Sequence, residues 1–225
     1  MVTAIIAAGG KGTRMGAGIN KVFLPLCGME IIARTVSVFD SSPLIDEIVV
    51  VTGAGDIPLF NEIATKYSFG KISAVVCGGE TRAESVRNGL TAAKGDIVLI
   101  HDGARALITS EEIAAVLDDC VKYGAAALGV KCAETLKSTD GSGFISATLD
   151  REHTYLIRTP QAFIRSQILD AHNTPDAALA TDDCMLAERA GIKIKITPGS
   201  SENIKLTEPA DLIIGEEILK RREAK

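Results

Sequence analysis

Val2 to Ala8 form a short apolar run, β-branched at its start, and such a run reads as a buried strand. It breaks into five glycines at positions 9, 10, 12, 16 and 18, with Lys11, Arg14 and Lys21 set among and after them. Glycine lets the backbone take positive φ and approach a ligand closely. Successive exposed N–H groups in such a loop can form an anion-binding nest. Cations on the same loop suit a polyphosphate better than a neutral ligand.

Two familiar phosphate loops do not fit. A Walker A loop needs Ser or Thr after its lysine, and Lys11 is followed by Gly12. A dinucleotide fingerprint needs a third glycine where this chain has Met15. The formal net charge is −5, so any phosphate must be held by local cations, and nucleic acid is an unsuitable main partner. Cys27, Cys77, Cys120, Cys132 and Cys184 contain no Cys-x-x-Cys pair and are odd in number. That pattern predicts reduced thiols in a cytoplasmic protein, not a disulfide frame or a zinc site. The chain shows neither a basic-plus-apolar leader nor an apolar run of about 18 residues, so neither a signal peptide nor a membrane span is expected.

Beyond Lys21 the periodicity alternates. Helices are predicted over 30–40, 56–67, 164–173, 181–190 and 207–219, and after capping boxes at Thr81-x-x-Glu84 and Thr109-x-x-Glu112. Strands are predicted at 48–51, 72–77, 97–100, 125–130 and 192–197. The fold class expected is α/β, a Rossmann-like, mostly parallel sheet with helices on both faces, in one domain over 1–225. Ligands in such sheets sit beyond the carboxyl ends of the strands. Residues 9–21, 78–87, 101–105 and 131–137 should therefore converge. Residues 132–157 interrupt the alternation: Glu134–Lys137 and Phe144–Leu149 flank the turn signal Ser138–Gly143 and predict a protruding β-hairpin arm.

Ala7-Ala8-Gly9-Gly10-x-Gly12-Thr13-Arg14-Met15, with Lys21 ahead of Phe23-Leu24-Pro25-Leu26, resembles the signature of sugar-phosphate nucleotidyltransferases. Gly78-Gly79-Glu80-Thr81-Arg82, His101-Asp102-Gly103-Ala104-Arg105, Thr159-Pro160-Gln161 and Asn203-Ile204-Lys205-Leu206-Thr207 narrow the resemblance to the 2-C-methyl-D-erythritol 4-phosphate cytidylyltransferase family, over nearly the whole chain. Gly103 and Ala106 depart from that family's usual alanine and proline. Glu134-Thr135-Leu136-Lys137 also favours this family over ribitol 5-phosphate cytidylyltransferases, the alternative enzyme reading. A catalytically silent nucleotide-binding regulator is the alternative of a different class.

The resemblance implies roles residue by residue. Arg14 and Lys21 would stabilise charge at the α-phosphate. Ala7, Ala8, Gly9, Gly10, Gly12, Gly79, Glu80, Ser85, Asp102 and Lys205 would bind the nucleotide. Asp102, Arg105, Thr135, Arg151 and Thr181 would bind the acceptor, with Thr135 and Arg151 reaching across a homodimer built through the 132–157 arm. Arg82 matches a family arginine to which no role is assigned. Mg2+ or another divalent cation would be the cofactor, held mostly by nucleotide phosphates, with Asp102 as the protein's metal contact. CTP and a polyol phosphate would be the substrates. His101, His153 and His172 lack metal-ligand spacing, and structural roles are expected for them.

Overall fold

The computed structural model describes residues 1–9 and 20–224. The sequence expectations for Gly10, Gly12 and Arg14 lie outside the described residues. The elements in chain order are β1 (Val2–Ala7), β2 (Pro25–Leu26), β3 (Met29–Glu30), α1 (Ile31–Ser41), β4 (Glu47–Thr52), α2 (Ile57–Tyr67), β5 (Ile72–Cys77) and α3 (Arg82–Ala92). They continue with β6 (Ile97–Asp102), α4 (Ser110–Tyr123), β7 (Ala125–Lys131), β8 (Lys137–Thr139), β9 (Ile145–Thr148), β10 (Tyr155–Ile164), α5 (Arg165–His172), α6 (Asp183–Arg189), β11 (Lys195–Pro198) and α7 (Pro209–Glu223).

Seven strands form the main sheet in the order β11-β7-β10-β6-β1-β4-β5. β1 lies parallel between β4 and β6, as its unbroken apolar run requires. Alternate strand residues feed opposite faces. Ala4, Ile6, Ile48, Val50 and Leu99 pack beneath α1, α2 and α4. Ile5, Val49, Val51, Val98 and Ile100 pack against α3, α5 and α6. α3 approaches the sheet closely: a Cβ on Gly89 would stand 2.6 Å from Ile5 Cγ2 and 2.9 Å from Val51 Cγ2. A third apolar cluster of Leu26, Ile31, Leu107 and Leu206 seats α7. Among the described residues no helix is long and apolar enough to cross a membrane, and all five cysteines are free thiols.

The structure adds β10, a strand the sequence pattern did not predict. It runs antiparallel between β6 and β7, in the middle of the sheet. Pro160 cannot donate to a ladder and would normally mark an edge. Here the β10–β7 ladder is interrupted between Ile157 and Gln161, and the Thr159–Pro160 peptide within that gap is cis. Side chains fill the gap. The Asp102 backbone N–H donates to Thr159 Oγ1 at 3.0 Å, and Asn203 Nδ2 donates to the Thr159 carbonyl at 3.0 Å.

The hairpin forms with a corrected first strand. β8 occupies Lys137–Thr139, later than the predicted Glu134–Lys137. The reason is the turn: Asp140 Oδ1 accepts from the Ser142 and Phe144 N–H groups, and Gly143 takes φ +88°. The tight turn thus begins at Asp140 and leaves Ser138 and Thr139 to pair with β9. α6 likewise begins at Asp183, with Asp182 as its N-cap, two residues inside the predicted span. α7 runs on to Glu223, past the predicted end at Leu219.

Candidate active site

The carboxyl ends of β1, β5 and β6 open into a cleft of about 990 Å³. Its wall includes Ala7, Ala8, Gly9, Asn20, Lys21, Gly78, Gly79, Glu80, Thr81, Arg82, Ser85, Asp102, Ala104, Lys205 and Thr207. Three of the four predicted convergent segments meet there. The fourth, 131–137, does not contribute to the wall, because β7 pairs with β10 out to Lys131 and carries the chain away into the arm. Residues 205–207 take its place. They follow a buried Asn203, and the Leu206 N–H donates to the Ala104 carbonyl at 2.9 Å.

The glycine turn after β5 is built by α3's capping box. Thr81 Oγ1 accepts from the Glu84 N–H, and the Glu84 carboxylate reaches back to the Glu80 and Thr81 N–H groups. Ser85 Oγ donates to the Thr81 carbonyl at 2.9 Å and accepts from Gly79 N–H at 3.1 Å. Glycine is required at 79, since a Cβ there would stand 2.4 Å from Glu84 Cβ. A Cβ on Gly9 would stand 3.7 Å from Ser85 Oγ, which brings Gly9 and the Gly78–Gly79 turn against one serine.

Opposite this turn, Asn20 Nδ2 donates to the Ala8 carbonyl at 2.8 Å and to Asp56 Oδ2 at 3.0 Å. Asn20 Oδ1 also accepts from Val22 N–H, which caps the single helical turn Lys21–Phe23 and presents Lys21 to the cleft. The Asp211 carboxyl, at the start of α7, is exposed to the Lys21 charge. Burial would raise Asp211, but hydrogen bonds from Thr207 and Glu208, together with that charge, hold it below its ordinary value.

Asp102, at the tip of β6, is the electrostatic centre. Lys205 Nζ stands 3.0 Å from its Oδ2, Arg105 Nε 3.3 Å from the same oxygen, and Arg82 Nε 3.9 Å from Oδ1. Burial alone would raise this carboxyl; the Lys205, Arg82 and Arg105 charges overcome that and hold it well below the usual carboxylate range. Asp102 is therefore ionised at any working pH. Arg105 is itself buried beside it and donates to the Asn203 carbonyl at 2.9 Å. It stands behind Asp102 and not among the residues forming the cleft wall.

His101 points the other way, into the core. Its ring lies 5.0 Å from that of Phe39, and burial pushes its pKa down to about 4. Nε2 faces the Arg105 carbonyl at 3.2 Å and must donate to it, which leaves Nδ1 to accept from the Thr159 hydroxyl at 3.1 Å. The structural role expected for His101 is what the geometry supplies. The unfolded chain binds this proton near 6.5, so between about 4 and 6.5 it binds more protons than the folded one, and stability falls as pH falls. Urea denaturation should show about 2 kcal/mol less stability at pH 5 than at pH 7. A flat profile over that interval would mean that the folded ring is not neutral and desolvated.

Lys21, Gly79, Glu80, Ser85, Asp102 and Lys205 thus share one cleft with Ala7, Ala8 and Gly9. Thr135 and Arg151 are exposed on the arm, and Thr181 is exposed just ahead of α6; within one chain none of the three lies on the cleft wall. Asn20, Val22, Gly78, Thr81, Arg82, Ala104 and Thr207 complete the wall beyond the residues assigned to the site from the sequence. Asn20 and Thr207 had a legible signal, since each adjoins a predicted site lysine or its motif.

The model of the family 2-C-methyl-D-erythritol 4-phosphate cytidylyltransferase, IspD, matches residues 2–221. A relative of that name from Clostridium acetobutylicum is 43% identical over 225 residues, covering 98% of each chain. Another from Geobacillus thermodenitrificans is 42% identical over 222 residues, covering 97% of each. Among solved structures, the 4-diphosphocytidyl-2C-methyl-D-erythritol synthase of Anaerococcus prevotii superposes with a TM-score of 0.88 at 30% identity, over 98% of this chain and 96% of that one. The Francisella tularensis 2-C-methyl-D-erythritol 4-phosphate cytidylyltransferase gives a TM-score of 0.80 at 29% identity, over 96% and 98%. With the sheet order, the glycine turns and the Asp102 cluster on the same chain, this protein belongs to the 2-C-methyl-D-erythritol 4-phosphate cytidylyltransferase (IspD) family.

Proposed function

We propose that this protein is a cytidylyltransferase that joins CTP to 2-C-methyl-D-erythritol 4-phosphate, giving the CDP-linked product and pyrophosphate, in non-mevalonate isoprenoid precursor synthesis. The observation that carries the reading is the meeting of Lys21, Arg82 and Lys205 with an ionised Asp102 in one cleft, beneath a glycine turn able to read a base. An oxygen of the acceptor phosphate attacks the α-phosphorus in line. The new P–O bond forms as the bond to the bridging oxygen breaks, and that electron pair leaves with pyrophosphate. The acceptor is already anionic, so no strong general base is needed. The protein's task is to hold two polyanions together and offset the developing charge. Lys21 and Arg14 do so at the α-phosphate and Lys205 along the phosphates. The Gly78–Glu80 backbone and Ser85 discriminate the exocyclic amine of cytosine from the oxygen of uracil.

Magnesium, or another divalent cation, fits this site. Hard cations of this kind take one or two carboxylates together with substrate phosphates. Asp102 is ionised, and its Oδ1 has Arg82 no nearer than 3.9 Å. Asp102 and the nucleotide phosphates would hold the cation, which supplies positive charge to the leaving pyrophosphate.

The arm is read as the dimer contact, in a cytoplasmic homodimer of single-domain subunits. Phe144 and Ile145 are 74% and 66% exposed near its tip, apolar surface that a second copy would cover. Thr135 and Arg151 would then reach the partner's acceptor site, where an arginine fork suits a phosphate. Asp at both 144 and 145 should raise the dimer dissociation constant by roughly 100-fold or more, read by sedimentation, since each side chain buried is worth about 1.5–3 kcal/mol. A dimer of unchanged affinity would place the contact elsewhere.

Pyrophosphate release with CTP and magnesium tests the reaction itself. Release with methylerythritol phosphate and not with ribitol 5-phosphate is the expected result. The reverse preference would move the protein to the ribitol class, and CTP binding without release would make it a regulator.

A further inference from the structure

Arg82 is the first residue of α3, directly after the turn assigned to the base. Its guanidinium bridges two carboxylates: Nη2 donates to Asp183 Oδ2 at 2.7 Å, and Nε stands 3.9 Å from Asp102 Oδ1. Asp183 is fully buried in the first turn of α6. A buried carboxylate is tolerated when paired, and here the partners are Arg82 and His172, whose Nε2 lies 3.0 Å from Oδ1. His172 Nδ1 in turn faces the carbonyl of Ala83, the residue after Arg82, at 3.2 Å. Arg82, Asp183, His172 and Ala83 thus close a ring that joins the start of α3 to α5 and α6. Burial would weaken the Arg82 charge, but Asp183, together with Asp102 and Asp182, more than restores it.

The same turn of α6 is held from β10. Gln161 Nε2 donates to Asp182 Oδ2 at 2.9 Å, and Gln161 Oε1 accepts from Cys184 N–H at 3.1 Å. Thr181, the acceptor contact expected from the resemblance, is the residue before Asp182. Two straps therefore tie Thr181's segment to the cleft: Gln161, two residues from the Thr159 that fixes Asp102's backbone, and Arg82, which faces Asp102's side chain.

We propose that Arg82, braced by Asp183 and His172, is a positioning residue for the acceptor: it sets Asp102 and Thr181 at a fixed spacing from the bound nucleotide. This rests on the reading of the cleft as the site where CTP meets a polyol phosphate. Arg82 contributes to acceptor capture and alignment, while the base is held by the capping-box turn and Ser85, whose hydrogen bonds do not pass through the Arg82 side chain. Lysine at 82 keeps the charge but loses the fork that spans both carboxylates.

The test is steady-state kinetics of R82K and D183N with CTP, magnesium and methylerythritol phosphate, beside CTP binding measured by calorimetry. The expected result is an acceptor KM raised about 10-fold or more and a kcat lowered by a similar factor, with CTP affinity within about threefold of the parent. Equal losses for CTP and acceptor, or unchanged kinetics with a lowered melting temperature, would overturn the proposal and leave the ring a structural brace. Should D183N fail to fold, R82K alone decides, because its side chain is partly exposed and its own helix keeps its cap. A parent enzyme inactive with every acceptor would instead refute the functional reading.

Discussion

Asp102→Asn should lower turnover about 10³-fold and stability by about 3–5 kcal/mol. The substitution keeps shape and removes one charge, so the effect reads the electrostatics. Lys205 and Arg105 lose their shared oxygen's charge, and Arg105, whose side chain is only 8% exposed, is left as an uncompensated buried cation. Arg82 keeps Asp183 but loses its second anchor. The folded carboxyl titrates below its unfolded value, so its contribution is fully present above about pH 4 and fades only on further acidification. The stability gap between parent and variant should therefore be constant from pH 8 to pH 5. Urea denaturation checks the gap and pyrophosphate release checks turnover. A folded variant with near-normal turnover would move the reacting centre away from β6.

Lys21→Ala is the second large effect, a loss of about 10²–10³ in kcat, as for removal of one preorganised donor. Stability should change by less than about 1 kcal/mol, because the turn that carries Lys21 is clipped by the Asn20 side chain and by the buried Val22 and Phe23. Rate measured at saturating CTP and acceptor, with circular dichroism as the folding control, separates the two. Comparable activity in a folded variant would remove Lys21 from the α-phosphate. The same loss is expected for Arg14→Ala.

What the sequence made legible was local. β5 and α3 fall where their patterns put them, α3 because Thr81 and Glu84 carry a complete cap within four residues. The cleft's glycine turns were readable for the same reason: a positive charge, a glycine or a cap announces itself within its own segment. β10 was not readable, because its proline argues against a central strand and the groups that replace the missing ladder come from Asp102 and Asn203. The brace on Arg82 was hidden in the same way. Asp183 looks like an ordinary helix-opening acid until a partner 101 residues earlier is brought to it. Long-range charge pairing has no periodicity, so only the folded chain reveals it. Arg105 shows the complementary limit: its motif was recognised, but not that it lies behind Asp102, donating to the Asn203 carbonyl.

Gly89 has a consequence that reaches beyond its helix. Ser85 lies one turn ahead of it on the same side of α3, and that serine's hydroxyl faces both Gly9 and Gly78. How closely Ser85 sits against Gly9 and Gly78 is therefore gauged by a methyl group that is not there. A single carbon added at position 89 would act as a shim under α3 and lift Ser85, a residue of the cleft wall, away from both glycines.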